Sequence, residues 1–184
     1  MVRIGVTGHR VLAELDKIEA GVQEALRRIE SAFPGEPLTV ISSLAEGADR
    51  IVARQVIDRE DSRLIAPLPL AAADYLNDFK SQESQAEFHR LLQSADSVEV
   101  MPSTATRNEA YEAAGHYVLN NSDVLITIWD GEHSQGQGGT GDIVTRARQR
   151  ALPLAWVHAG NRKAGSHIPT SLGDEQGRVS FENF

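Results

Sequence analysis

The sequence predicts an α/β fold of three layers, a mostly parallel sheet of about six or seven strands with helices on both faces. Three observations carry this expectation. Short β-prone runs alternate with amphipathic stretches along most of the chain. The runs are continuously apolar, as in Val124-Leu125-Ile126-Thr127-Ile128-Trp129, which suits strands buried on both faces rather than one. Several runs end in glycine-bearing loops that open into helices, the arrangement by which parallel strands are joined through right-handed crossovers.

The elements follow in order. Val2 to Thr7 is a β-prone run ending at Gly8 and forms a first strand. Leu15, Ile18, Val22, Leu26, Ile29 and Phe33 then recur every three or four residues, one apolar helical stripe that Pro34-Gly35 terminates. Leu38 to Ile41 is a second strand and Ala48 to Ile57 its helix. Leu64-Ile65-Ala66 is a third strand, closed by Pro67-Leu68-Pro69. Ala71 to Phe79 reads as an excursion carrying Tyr75 and Phe79. Ser84-Gln85-Ala86-Glu87 has the form of a capping box and opens a helix through Leu92. Ser97 to Met101 is a fourth strand, and Thr106-Arg107-Asn108-Glu109 a second capping box, opening a helix to Asn120. Val124 to Trp129 is a fifth strand, with its helix from Asp142 to Arg150. Pro153 to Val157 is a sixth strand, and Arg178 to Phe181 a late candidate. The pattern is Rossmann-like.

With 184 residues the chain suits one domain, residues 1–184, with a core over about 2–157 and a C-terminal extension over 158–184. Hydrophobic content of 41% supports a packed core, and no apolar run approaches membrane-spanning length, so no membrane partner is expected. The first residues lack a signal-peptide pattern, and cysteine is absent, which excludes disulfides and thiol catalysis; a cytoplasmic location is the expectation. A net charge of −8 disfavours broad nucleic-acid binding. None of the six histidines forms a tight His-x-x-x-His pair, so no metal and no cofactor are expected.

Ligands of open parallel sheets bind beyond the carboxyl ends of the strands. The residues expected there are Gly8, His9, Arg10, Ser43, Glu46, Gly47, Asp49, Arg107, Trp129, Asp130, Gly138, Gly139 and Thr140. Glycine N–H groups and Thr140 at a helix start suit a phosphate, a carboxylate suits ribose hydroxyls, and Trp129 or Tyr111 suits base stacking. Trp129 fits a core position equally well. Thr140 can cap its helix and bind phosphate with the same N–H groups. His9 and His116 read as hydrogen-bonding structural residues, and Asp49 as a partner of Arg10 or Arg50. No full Gly-x-Gly-x-x-Gly follows the first strand, and no Gly-x4-Gly-Lys-Ser/Thr occurs.

Four segments in matching order resemble the SLOG superfamily: Ile4-Gly5-Val6-Thr7-Gly8-His9-Arg10, Ser42-Ser43-Leu44-Ala45-Glu46-Gly47-Ala48-Asp49, Asn121-Ser122-Asp123-Val124-Leu125-Ile126 and Gly138-Gly139-Thr140. The second is similar to the Smf/DprA pattern Ser-Gly-Leu-Ala-x-Gly-Ile-Asp. The last two are similar to the approach to the Lonely-Guy motif Pro-Gly-Gly-x-Gly-Thr-x-x-Glu. The resemblance spans about residues 2 to 157. It implies a nucleotide-binding or nucleotide-sensing domain, with an ADP-ribose-type ligand suggested by signalling members, and a homodimer or higher homo-oligomer. The motif glutamate of the Lonely-Guy phosphoribohydrolases falls on Ile143, and their Arg-Lys pair is replaced around Gly115-His116-Tyr117, with Asp142 and His116 as the nearest substitutes.

The expected function is therefore binding of a phosphorylated nucleotide at the strand C-termini, as a sensing or ligand-binding module. The alternative is an N-glycosidase on nucleoside monophosphates, with Asp130, Asp142 or Glu46 near the anomeric carbon. A single-stranded-DNA partner is disfavoured by the acidic balance.

Overall fold

The computed structural model describes residues 1–133 and 139–184. Seven strands form one sheet: β1 (Val2–Gly8), β2 (Leu38–Ile41), β3 (Arg63–Leu68), β4 (Ser97–Val100), β5 (Val124–Trp129), β6 (Leu154–His158) and β7 (Val179–Glu182). Their order is β4-β3-β2-β1-β5-β6-β7, all parallel except β7, which runs antiparallel to β6. The helices are α1 (Leu15–Ala32), α2 (Ala48–Ile57), α3 (Ala72–Tyr75), α4 (Gln82–Gln93), α5 (Arg107–Asn120) and α6 (Thr140–Gln149). None of the described helices is long and apolar enough to cross a membrane.

From β1 the chain steps outward through β2 and β3 to β4, then returns through α5 to β5 on the far side of β1. The contacts divide the helices accordingly: α1 packs on α2 and α2 on α4, whereas α5 packs on α6. The arrangement is the expected three-layer, Rossmann-like one. Strand β5 shows why continuous apolar runs were needed. Val124, Ile126 and Ile128 join the larger core with α1 and α2, while Leu125 and Trp129 join a smaller one with Ile143, Val144 and Ala147 of α6.

Boundaries shift where tertiary contacts intervene. β3 continues through Pro67, which cannot donate to a ladder. Its position points toward β2, like Ile65, whose carbonyl accepts the Ser42 N–H; β2 ends at Ile41, so no bond is forfeited at Pro67. α4 begins at Gln82, before the expected capping box. Ser81 caps it by accepting the Ser84 N–H at 3.1 Å, while the Ser84 hydroxyl is engaged by Glu46 and Arg50. α6 begins at Thr140, two residues before the expected Asp142. The Thr106–Glu109 capping box is complete in both directions. Leu15, expected in the α1 stripe, is half exposed at the first helical position, whereas Ile18, Val22, Leu26 and Ile29 are fully buried. The C-terminal segment supplies β7 to the sheet, and Gln176 ties it to the β1–α1 loop by donating to the Ala13 carbonyl at 2.9 Å.

Candidate functional site

β1 and β5 lie side by side, and the chain leaves them toward opposite edges of the sheet over opposite faces. Such a topological switch point leaves a crevice between the diverging loops. A cavity of about 330 Å³ opens there. It is floored by Val6, Thr7 and Gly8 of β1, and walled by Ser43 and Asp49 from the β2–α2 connection, by α5, and by Gly139 and Thr140 at the start of α6. A second cavity of about 320 Å³, lined by His9, Trp129 and Asp130 among others, lies on the other side of Thr140, which borders both.

The first loop is held by backbone bonds. His9 N–H extends the β1–β5 ladder by donating to the Ile128 carbonyl at 2.9 Å, and the His9 carbonyl accepts the Ala48 N–H of α2 at 3.1 Å. Gly47 adopts φ +75°, and a Cβ there would lie 2.5 Å from the His9 and Arg10 carbonyl oxygens. Gly47 therefore serves the approach of the two loops, and it lines neither cavity.

Asp49 organises the second loop. Its buried carboxylate accepts the Ser42 hydroxyl at 3.1 Å and backbone N–H groups of Ser43 and Ala45, and the Ser42 oxygen accepts the Leu44 N–H at 3.1 Å. Burial pushes this carboxyl up to about 6, against the pull of these donors and of the Arg10 charge. Arg50, by contrast, turns away. Its Nε donates to the Leu44 carbonyl at 3.0 Å, its Nη1 to the Ser84 carbonyl at 2.9 Å and to Glu87 at 3.2 Å, and it stacks over Phe79 at 4.4 Å. Glu46 accepts the Ser84 hydroxyl and belongs to this α2–α4 network rather than to a cavity.

Arg107 is likewise committed elsewhere. It is exposed and pairs with Asp74 at 2.9 Å and Asp78 at 2.7 Å, a clasp between α5 and the α3 excursion. Tyr111 donates to the same Asp78 and presents its ring to the main cavity, with the Arg10 guanidinium 5.5 Å from its centroid. Tyr75, almost wholly buried, also borders that cavity; burial first, and then the Asp49 charge, hold its hydroxyl well above the usual tyrosine range. Asn108, Tyr111, Gly115 and Val118 complete the α5 wall at helical spacing. Tyr111 of this stripe was expected as a stacking residue, but Asn108 and Val118 were not, because the capping box drew notice to Arg107, which is held by Asp74 and Asp78 instead.

On the far side of Thr140, Trp129 is buried, donates Nε1–H to the Glu132 carbonyl at 3.0 Å and packs on Trp156 at a centroid distance of 5.4 Å. The core reading of Trp129 thus prevails over an open plate, although its edge borders the second cavity. His9 Nε2 accepts the Asp130 N–H at 3.1 Å and lies 3.2 Å from the Asp130 carboxylate. Burial lowers the His9 pKa, only partly offset by Asp130, so the neutral ring that accepts this bond is favoured.

Of the expected residues, Gly8, Arg10, Ser43, Asp49, Gly139 and Thr140 meet at the main cavity, and His9, Trp129 and Asp130 at the second. Gly138 lies outside the described residues. Asp142 sits on the α5–α6 seam, ion-paired with Arg146 at 3.1 Å and close to Glu112 and His116, a carboxylate–imidazole cluster that no histidine spacing foretold.

No protein-family model matches the chain, and no significant match was found among curated proteins.

Proposed function

We propose that the protein binds a phosphorylated nucleotide or nucleotide-derived ligand at this switch point, as a sensing or ligand-binding module. The observation that carries the reading is the position of Thr140: the first turn of a ten-residue helix, bordering both cavities. A helix N-terminus presents unpaired N–H groups and a positive dipole end, which favour phosphate, and Arg10 adds a cation at the rim of the main cavity. Tyr111 offers a stacking face, and Asn108 a polar group, in a space large enough for a nucleoside. Two cavities meeting at one phosphate position suit a ligand with an arm on each side of its phosphates, as in the ADP-ribose type. The four SLOG-like segments support the same ligand class.

Hydrolysis of an N-glycosidic bond is the second reading, and one observation bears on it. Asp49 is the one carboxylate lining the main cavity among the described residues, and its raised pKa suits proton transfer near neutrality. Asp130 borders the other cavity and Glu46 is bound to Ser84, so Asp49 replaces them as the residue to test.

The experiment is calorimetric titration with nucleoside monophosphates, ADP-ribose, cyclic ADP-ribose isomers and NAD, followed by mass spectrometry of each incubated ligand. Saturable binding of an intact ligand, lost in Gly139→Val with an unchanged melting temperature, supports the sensor. Release of free base turns the reading to the glycosidase. Absence of binding by every ligand overturns the proposal.

A further inference from the structure

Glu112 and His116 lie one helical turn apart on α5, at the i and i+4 positions that place side chains on one face. Across the seam, Asp142 projects from the first turn of α6. One ligand atom from each of the three lies within 4.8 Å of the others. Protein bonds of 2.0–2.2 Å to a tetrahedral ion require donor atoms about 3.4 Å apart, so modest side-chain rotations close the set.

His116 provides the independent observation. Its Nε2 is shielded from solvent, in a side chain otherwise 33% exposed, and has no hydrogen-bond partner among the described residues; Glu112 Oε1 is 3.9 Å away, beyond hydrogen-bonding range. A shielded ring nitrogen with no partner is destabilising, and a metal ion relieves it with the lone pair of the neutral imidazole. Arg146 Nε donates to both Asp142 oxygens at 3.1 and 3.2 Å. A carboxylate has lone pairs for such a donor and for a cation together, and outer hydrogen bonds of this kind orient metal-ligating carboxylates.

We propose that Glu112, His116 and Asp142 form a binding site for one divalent first-row transition ion, of the zinc or manganese type. One imidazole and two carboxylates, with no thiolate in the chain, suit such an ion better than calcium or magnesium, which favour all-oxygen sets. Three protein donors leave coordination positions for water or an anion. The site does not depend on the nucleotide reading, since its residues belong to the α5–α6 seam and the metal is tested alone.

The test is calorimetric titration of untagged protein with Zn²⁺ and Mn²⁺, and absorption spectroscopy with Co²⁺. The expected result is one ion per chain, with a Co²⁺ visible spectrum showing nitrogen and oxygen ligation. His116→Ala and Glu112→Gln should each weaken binding roughly 10- to 100-fold. His133→Ala, a change at an exposed histidine outside the cluster, should leave it unaltered. Circular dichroism of each variant establishes that it is folded. Failure of all three ions to bind at one per chain overturns the proposal, as does binding that survives both cluster substitutions in folded protein.

Discussion

Helices α2 and α6 both start at a glycine after a buried strand, yet they use their N-termini differently. At α2 the chain fills the site itself: the His9 carbonyl takes the Ala48 N–H, and the Asp49 carboxylate gathers Ser42, Ser43 and Ala45. At α6 the first residue, Thr140, borders two cavities. Two loops of similar composition thus divide the labour. One fastens the connections around the switch point, and the other faces the space they enclose. The contrast predicts that damage on the α2 side appears as lost stability, and damage on the α6 side as lost binding.

The largest effect should come from Arg50→Ala, which strips a buried cation from Leu44, Ser84 and Glu87 and leaves those acceptors without it. Urea unfolding should register a loss of about 3–5 kcal/mol. Equal stability of this variant and wild type would break the comparison. Gly47→Ala should follow, at roughly 1–3 kcal/mol, because the residue must keep a positive φ against two carbonyl oxygens. At the cavity rim, Arg10→Ala should weaken the proposed nucleotide binding about tenfold or more while shifting the melting temperature by less than about 2 °C, since the Arg10 side chain is exposed.

A pH series sharpens the α2 half. The Asp49 carboxyl is raised from 3.8 to about 6 by burial, so between these values the folded state holds more protons than the unfolded chain. This stability is present in full below pH 3.8 and is lost as pH rises through 6, by on the order of 1–3 kcal/mol. Asp49→Asn should flatten that slope in urea unfolding at pH 4 to 6.5. The smallest effect concerns His9, whose ring is already depressed by burial and partly rescued by Asp130. Asp130→Asn should lower the His9 pKa further in an NMR titration; an upward move would sink the assigned balance.

Much of the fold was legible because periodicity and capping are local. The runs Leu38 to Ile41 and Val124 to Trp129, and the helix Ala48 to Ile57, coincide with the observed elements. The Thr106–Glu109 box was readable because both its bonds close within one turn. Ser84 misled for a complementary reason: its hydroxyl answers to Arg50 and Glu46, 34 and 38 residues away. The site was legible as a set of loops and only in part as a set of side chains. Arg107 left the set for Asp74 and Asp78, Gly47 for the contact between loops, and Glu46 for α4, while Tyr75, Asn108 and Val118 entered it.

The sequence by itself determined the alternation of elements, the parallel sheet and the edge at which its connecting loops gather, because these follow from side-chain period and connection handedness over short stretches of chain. Only the tertiary structure decided which side chains face the cavity and which are consumed in holding it. It also decided that Glu112, His116 and Asp142 meet. Those outcomes depend on partners dozens of residues away, competing for the same donors and acceptors in three dimensions.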